Sequence, residues 1–282
     1  MPIPPDLRLT RAVERWQLRG LRQVAETRTS LILRASAASG DVALKLLTND
    51  DADEQRGGDL MLHYDGIGAA RVRGQGEGIL LLDWLDGPSL GDLAREGRDG
   101  QATQLLAGVA AQLHRPRDHP APDLPPLEHW LQPLLQTRPA SWPQASQPDI
   151  AAAADLARQL LDSAPPPVPL HGDLHHDNIL SDGETWRAID PKGILGDSAF
   201  DLANAFRNPE GLERLSREPA RIDGMARCFA DRLALEIPRL LGWASVQAAL
   251  SASWNRDSGR DPGDDLLLLP CLLDAWRRNA RG

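Results

Sequence analysis

The spacing of hydrophobic residues changes near residue 84. Before that point, short apolar runs alternate with polar positions, as in Val42–Leu47, and one helix is indicated near Asp51 to Tyr64. After it, apolar residues recur at helical intervals, as in the stripe along Gln101–Leu113. The pattern predicts an α+β chain that is strand-rich over residues 1–84 and mainly helical over residues 85–282.

A loop and a hairpin between residues 171 and 191 carry the most distinctive polar pattern. The loop reads His-Gly-Asp-Leu-His-His-Asp-Asn and ends at Asn178. Two short apolar runs, at residues 179–180 and 186–189, flank a Ser-Asp-Gly turn, which predicts a hairpin. The hairpin would bring Asn178 and Asp190 side by side, with Asp173 in the loop before them.

These three side chains suit phosphoryl transfer. Asn178 and Asp190 offer the hard oxygen ligands that Mg²⁺ takes in proteins. Asp173 is left free to orient or deprotonate a substrate hydroxyl, which a phosphoryl-transfer site requires in addition to its metal ligands. The sequence therefore predicts a magnesium-dependent phosphotransferase.

The sequence around this loop resembles that of a known family. HGDLHHDNIL, followed by AIDPKGILGDSAFDLANAFRNP through Pro209, is similar to the aminoglycoside phosphotransferases, which are relatives of the protein kinases. Within them it resembles the streptomycin 6-phosphotransferase branch of aminoglycoside and hydroxyurea resistance kinases. The resemblance implies a protein-kinase-like, two-lobed fold with an N-lobe over residues 1–84 and a C-lobe over residues 85–282.

The resemblance also implies roles for individual residues. Asp173 matches the catalytic base of the family, and Asn178 and Asp190 match its magnesium ligands. Asp201 matches an aspartate that stabilises the catalytic loop. The implied reaction moves the γ-phosphate of ATP to a hydroxyl of an aminoglycoside, most of all the 6-position of streptomycin, and gives antibiotic resistance.

Lys45 is the lone polar residue of its predicted strand, Val-Ala-Leu-Lys-Leu-Leu. A lysine on the third strand of a kinase N-lobe pairs with the α- and β-phosphates of the nucleotide. In kinases an acid on the next helix holds this lysine. Asp59 has the spacing that resembles the family more closely, and Glu54 is the alternative.

The stretch before Lys45 lacks a glycine-rich phosphate loop. Backbone amides and hydroxyls between residues 25 and 30, including those of Thr27 and Ser30, could bind phosphate oxygens. An ordinary polar hairpin is the equal alternative for this segment.

The apolar run Gly78–Leu82 leads into a turn and resembles the kinase hinge. By that resemblance, the backbone of Asp83, Trp84 and Leu85 would hydrogen-bond the adenine ring. Because backbone groups read the base, this segment is compatible with ATP and with GTP.

The acceptor site would lie against the C-terminal helices, where residues 252–257 and 261–265 supply an aromatic ring and several carboxylates. In aminoglycoside kinases, carboxylates of the large lobe hold the cationic groups of the drug. The resemblance therefore makes Trp254 and Asp257 candidate substrate contacts. A solvated acidic loop is the alternative.

Composition fits a two-lobed enzyme of 282 residues. The formal charge of −9, from 40 acidic and 31 basic residues without a basic block, argues against a nucleic-acid partner and is compatible with a cationic small-molecule acceptor. Cys228 and Cys271 show no metal-site spacing and suit a reducing compartment. The N-terminus does not read as a secretory signal, and Leu266–Leu269 is too short for a membrane span. These features predict a cytoplasmic protein without a membrane partner.

Two other functions compete with aminoglycoside phosphorylation. One is a kinase of the same fold that acts on hydroxyurea or another small hydroxylated metabolite. The other is a non-catalytic nucleotide-binding module, which the missing glycine-rich loop favours. The joint presence of Lys45, Asp173, Asn178 and Asp190 argues against the second.

Overall fold

The computed structural model describes residues 5–27, 29–47 and 52–280. The strands are β1 (Arg19–Glu26), β2 (Ser30–Ala37), β3 (Gly40–Leu47), β4 (Val72–Gly76), β5 (Ile79–Asp83), β6 (Val168–Leu170), β7 (Ile179–Ser181), β8 (Trp186–Ala188) and β9 (Ile194–Gly196). The α-helices are α1 (Pro5–Trp16), α2 (Ala52–Tyr64), α3 (Leu90–Leu93), α4 (Asp99–Leu113), α5 (Leu127–Leu135), α6 (Gln147–Asp162), α7 (Ser198–Asp201), α8 (Glu213–Ser216), α9 (Pro219–Leu233), α10 (Ile237–Asp257) and α11 (Gly263–Asn279).

Strands β1 to β5 form one antiparallel sheet in the order β1-β2-β3-β5-β4. Successive side chains of a strand point to opposite faces, and β3 follows this rule. Val42, Leu44 and Leu46 are buried in the core on one face of the sheet. Ala43 and Lys45 line a cavity on the other face. The alternation seen in the sequence thus places Lys45 on the cavity side.

The prediction of a single helix before residue 84 is wrong, because α1 and α2 both lie in that part of the chain. The first helix has apolar residues at positions 9, 12, 13 and 16, which fall on one face of a helix. Ala12 is buried, and Leu9, Val13 and Trp16 pack with it against the sheet. Interleaved arginines make this segment polar on average and hide the stripe.

The C-lobe is built around α10. Its side chains are buried continuously from Leu240 to Ser253. A helix that is buried on all sides belongs to the interior of a helical body. It packs against α5, α6 and α11, and the surrounding residues form one continuous hydrophobic core. The predicted α+β class, with strands first and helices after them, is confirmed.

Two short strand pairs lie between the sheet and the helices. Strand β6 pairs with β9 and β7 pairs with β8, both antiparallel. The predicted hairpin is confirmed, since Ile179 lies opposite Ala188. The loop over residues 171–178 leaves β6 and enters β7, whereas residues 189–193 connect β8 to β9. Both polar segments therefore emerge at the same place.

The predicted lobe boundary between residues 84 and 85 follows the end of β5 at Asp83. That boundary stays a prediction. Among the described residues, none of the helices is both long and apolar enough to cross a bilayer.

A buried arginine ties the segment after α7 to two helices. Arg221 of α9 donates to both carboxylate oxygens of Asp99 in α4, each at 3.0 Å. It also donates to the carbonyl oxygens of Phe206, at 3.2 Å, and Asn208, at 2.7 Å. The arginine side chain is only 4% exposed. This contact fixes the backbone of residues 206–208, of which Arg207 and Asn208 line a cavity.

Arg221→Ala should lower the free energy of unfolding by about 1–3 kcal/mol, because two carbonyl oxygens and the partly exposed carboxylate of Asp99 lose their donor. Arg227→Ala, at an exposed position of the same helix, is the matched control and should change it by less than about 0.5 kcal/mol. Urea unfolding followed by circular dichroism measures both. Equal effects of the two substitutions would contradict the role given to Arg221.

Candidate active site

The carboxylate of Asp173 is held by two amides. Asn204 Nδ2 donates to Oδ1 at 2.7 Å, and Asn178 Nδ2 donates to Oδ2 at 3.3 Å and to the Asp173 carbonyl at 3.0 Å. The side chain is 31% exposed, so an acceptor could reach it. His175 Nε2 lies 3.8 Å from Oδ1. Asp173 is therefore both fixed in orientation and accessible.

A buried carboxylate braces the loop that carries Asp173. Asp201 accepts from the backbone N–H of His171 at 3.1 Å and of Gly172 at 2.8 Å. His114 Nε2 lies 2.9 Å from its Oδ2. Burial opposes ionisation of Asp201, but the interactions with His114, His171 and the Gly172 N–H together outweigh it, and the pKa of Asp201 lies below its usual value. The carboxylate is ionised at neutral pH and holds the loop backbone.

His171 has a structural position inside this brace. Its Nε2 hydrogen-bonds the carbonyl of Ile189 at 3.0 Å, and its Nδ1 accepts from the backbone N–H of Asp173 at 3.3 Å. Burial lowers the pKa of His171, so the imidazole is neutral at pH 7. It links the catalytic loop to the segment that follows β8.

Asp190 stands between the two lysines of the chain. Its Oδ1 pairs with Lys45 Nζ, and its Oδ2 lies 3.7 Å from Lys192 Nζ. Burial raises the pKa of Asp190, but the charges of Lys45 and Lys192 outweigh it and keep the pKa below its usual value. Its backbone φ of 59° is a left-handed conformation that few non-glycine residues adopt. Such strain is common at functional positions.

Asn178 and Asp190 line one cavity, together with Lys45. Asn178 uses its amide nitrogen, Nδ2, to donate to the carbonyl oxygen and to Oδ2 of Asp173. Its amide oxygen, Oδ1, therefore remains as the atom that could bind a metal. The described residues contain no group of three or more His, Cys, Asp or Glu side chains suited to a metal. Magnesium commonly takes only one or two protein oxygens and completes its shell with water and phosphate. The pair fits magnesium, which would neutralise phosphate charge there.

The cavity above these residues has a volume of about 300 Å³. Apolar side chains of the sheet and the hairpin form most of it. The lining includes Ala25, Thr27, Ser30, Ile32, Ala43, Lys45, Ala70, Leu82, Asp83, Trp84, Leu85, Asn178, Leu180, Ile189 and Asp190. A largely apolar slot that also holds Lys45 and two candidate metal ligands suits a nucleotide.

The predicted nucleotide contacts other than Asp59 line this cavity, but the hydroxyls of the β1–β2 turn are engaged in hydrogen bonds with each other. Thr27 Oγ1 lies 3.0 Å from Ser30 Oγ and accepts from the Ser30 backbone N–H at 3.0 Å. At the hinge, Asp83, Trp84 and Leu85 line the opposite side. Their contacts with phosphate or adenine stay predictions.

The predicted acid partners of Lys45 lie elsewhere or outside the described side chains. Asp59 is exposed and lines a separate cavity with Gln55 and Gln75. The side chain of Glu54 falls outside the described residues. The carboxylate that the structure does place against Lys45 is that of Asp190.

A second cavity, of about 330 Å³, opens beside the catalytic loop and is acidic. Its lining is Arg207, Asn208, Glu210, Glu213, Ser216, Asn255, Asp261, Asp264, Asp265 and Leu268. Arg207 Nη1 donates to Asn204 Oδ1 at 3.3 Å, and its Nε donates to Asp265 Oδ1 at 3.0 Å. Since Asn204 holds Asp173, a short chain of hydrogen bonds joins this cavity to the candidate base.

The two predicted substrate contacts lie on the same helix as Asn255 but are not part of this lining. Trp254 packs edge-on against Trp130, with ring centroids 5.4 Å apart. Asp257 lies 3.3 Å from Arg256 and is exposed. Their role as substrate contacts stays a prediction.

Residues 15–259 match the family described as aminoglycoside/hydroxyurea antibiotic resistance kinase. The chain belongs to this family. A streptomycin 3''-kinase of Klebsiella pneumoniae is 38% identical over 247 residues, covering 86% of this chain and 90% of the relative. A streptomycin 6-kinase of Streptomyces griseus is 28% identical, covering 89% and 83%. A hydroxyurea phosphotransferase of Kitasatospora aureofaciens is 35% identical, covering 76% and 68%.

Solved structures show the same fold. A choline/ethanolamine kinase family protein from Mesorhizobium loti has a TM-score of 0.67 at 16% identity, with 93% of this chain and 92% of that chain covered. A thermostable mutant of aminoglycoside phosphotransferase APH(4)-Ia, in complex with ADP and hygromycin B, has a TM-score of 0.64 at 15% identity, with 97% and 98% covered. The predicted protein-kinase-like fold is confirmed, and this family member is a phosphotransferase with a hydroxyl acceptor.

Three residues that the structure places around the candidate site of this resistance kinase were not assigned a role from the sequence. No role was given to Asn204 or His114, which contact Asp173 and Asp201 from 31 and 87 positions away in the chain. Lys192 was also passed over, although it follows Asp190 by two residues and is one of only two lysines. That scarcity was a signal that could have singled it out.

Asp201→Asn should slow turnover and destabilise the resistance kinase, because an amide offers one acceptor oxygen where two backbone N–H groups need two. Each orphaned buried donor costs about 1–3 kcal/mol. Asp155→Asn, at an exposed ion pair of α6, is the control and should leave both properties unchanged. Thermal unfolding and steady-state kinetics measure the two effects; wild-type behaviour of Asp201→Asn would remove the brace from the mechanism.

Proposed function

We propose that this resistance kinase transfers the γ-phosphate of ATP to a hydroxyl of streptomycin, with Mg²⁺ as its metal. The observation that carries the proposal is that hydrogen bonds connect Asp173 to the linings of two unlike cavities, through Asn178 to one and through Asn204 and Arg207 to the other. The first cavity is a largely apolar slot that also holds Lys45 and Asp190, and the second is lined by carboxylates. A nucleotide fits the first by chemistry, and a polycationic alcohol fits the second.

In this proposal Asp173 accepts the proton of the attacking hydroxyl. Hydrogen bonds from Asn204 and Asn178 hold its carboxylate in one orientation before the acceptor binds. The entropic cost of orienting the base is therefore not added to the barrier of the reaction. Asn178 and Asp190 would hold magnesium, and Lys45 would bind the α- and β-phosphates. Catalysis in such a site rests on positioning and on neutralising phosphate charge.

The acidic cavity supports a cationic acceptor. Five carboxylates and a single arginine line it among the described residues, and two of those carboxylates are already paired, Asp265 with Arg207 and Asp264 with Arg217. The other acids, Glu210, Glu213 and Asp261, leave the cavity with a net negative charge. A cavity lined by one sign of charge attracts ligands of the opposite sign. The cationic groups of streptomycin meet this requirement.

The position phosphorylated has two candidates. The sequence motifs predict the 6-hydroxyl, whereas the relative of 38% identity is a 3''-kinase and the relative of 28% identity is a 6-kinase. The higher identity over a similar length favours the 3''-hydroxyl. We therefore propose the 3''-position, with the 6-position as the alternative.

A hydroxyurea kinase is the second candidate function, because one relative with 35% identity is a hydroxyurea phosphotransferase. Hydroxyurea is small and uncharged at neutral pH. It would leave the carboxylates of the second cavity without cationic partners. The charge of that cavity therefore ranks streptomycin first.

Purified enzyme should release ADP from ATP in a Mg²⁺-dependent manner when streptomycin is the acceptor, and phosphorus NMR of the product should place the phosphate on the 3''-oxygen. Asp173→Ala, which removes the base, should bind nucleotide normally and turn over at least about 10²-fold more slowly. A phosphate on the 6-oxygen would restore the motif-based prediction. Turnover with hydroxyurea alone would overturn the streptomycin assignment.

Asp261→Asn and Asp264→Asn should each raise the Michaelis constant for streptomycin about 2–5-fold, because each removes an exposed charge pair worth up to about 1 kcal/mol. The constant for ATP should not change. Asp257→Asn, made in parallel, tests the contact predicted from sequence. If Asp257→Asn alone raised the streptomycin constant, the acceptor would lie outside the acidic cavity.

A further inference from the structure

The chain uses lysine in only two places. Its 31 basic residues comprise 29 arginines and two lysines, Lys45 and Lys192. Both ammonium groups approach the same carboxylate, one at each oxygen of Asp190. Every other cationic position of the sequence is an arginine. Lysine therefore occurs in this sequence only at the two positions that flank Asp190, the candidate metal ligand.

Arginine and lysine differ in how they bind a carboxylate. The planar guanidinium of arginine forms two parallel hydrogen bonds with it, whereas the ammonium of lysine is a compact charge on a flexible stem. At the edge of Asp190 an arginine would close onto both oxygens. A lysine can pair with one oxygen and move to a phosphate when a nucleotide enters.

Lys192 lies on the catalytic-loop side of Asp190. Its backbone N–H donates to the carbonyl of His171 at 2.7 Å. Gly172, with φ at 79°, lies so close that a Cβ added there would meet the Cβ of Lys192 at 3.3 Å. Lys45 instead reaches Asp190 from the sheet, on the nucleotide-cavity side. The two lysines therefore approach different oxygens of the carboxylate, and the backbone of Lys192 is hydrogen-bonded to the loop that carries Asp173.

We propose that Lys192 is a catalytic residue that binds the γ-phosphoryl group, while Lys45 serves the α- and β-phosphates. This proposal rests on the ATP-dependent phosphotransfer proposed above. In the step, the acceptor oxygen forms a bond to the γ-phosphorus as the bond from that phosphorus to the β–γ bridging oxygen breaks. The hydroxyl proton passes to Asp173 and the bridging electrons leave with ADP. Lys192 keeps its proton and neutralises charge on the γ-oxygens.

The test compares two nucleotides that differ in the γ-phosphate, without any acceptor. Isothermal titration in excess Mg²⁺ measures the dissociation constants of ADP and AMP-PNP for the full chain. Lys192→Met should weaken AMP-PNP about tenfold while leaving ADP within about twofold, because it removes one charged contact to the third phosphate. Lys45→Met, the matched control, should weaken both nucleotides. Lys192→Arg should also lose part of the preference for AMP-PNP over ADP, since a guanidinium would close onto both oxygens of Asp190.

Turnover provides a second readout. Lys192→Met should lower kcat about 10²–10³-fold, as removal of a group that stabilises transition-state charge does. An unchanged ratio of the two dissociation constants, or equal weakening of both nucleotides, would reduce Lys192 to a partner of Asp190 and overturn the proposal. Circular dichroism checks folding, and Lys192→Gln supplies the same comparison if the methionine variant does not fold. If the wild-type enzyme bound AMP-PNP but did not phosphorylate streptomycin, the proposed acceptor would be wrong. The proposed contact between Lys192 and the γ-phosphate would not be affected.

Discussion

The site depends on one buried carboxylate. Asp201 accepts the backbone N–H groups of His171 and Gly172 and the ring nitrogen of His114, and it is almost inaccessible to water. A buried charge is tolerated only when donors surround it, so its donors cannot move away without a large cost. The loop backbone is therefore fixed one residue before Asp173. The buried carboxylate of Asp201 in this way helps to orient Asp173, whose own carboxylate is partly exposed.

Charge is divided between the two sides of that loop. Around Asp190, the ammonium groups of two lysines face one carboxylate. In the acidic cavity, carboxylates outnumber Arg207. An overall charge of −9 says nothing about this division, since it averages over the surface. In the proposed reaction, opposite local fields would draw the anionic nucleotide and a cationic acceptor to different sides of the loop that carries Asp173.

The sequence predicted the parts of the site that are local in the chain. Asp173, Asn178 and Asp190 fall within one loop and one hairpin, so their spacing alone indicates that they meet. It could not predict Asn204 or His114, because those contacts depend on how distant helices pack. The first helix was missed for another reason: its arginines lower the mean hydropathy, although its apolar residues follow a helical period.

The link from Asp173 through Asn204 and Arg207 to Asp265 has a consequence for specificity. Arg207 divides its hydrogen bonds between Asn204 and Asp265, so a cation that bound Asp265 would compete with Arg207 for it. Any resulting shift of Arg207 reaches Asn204, which orients the carboxylate of Asp173. Residues that form one hydrogen-bonded chain do not act independently. If the acceptor binds as proposed, its recognition and the orientation of Asp173 are therefore coupled, and changes in the wall of the acidic cavity would act on catalysis as well as on binding.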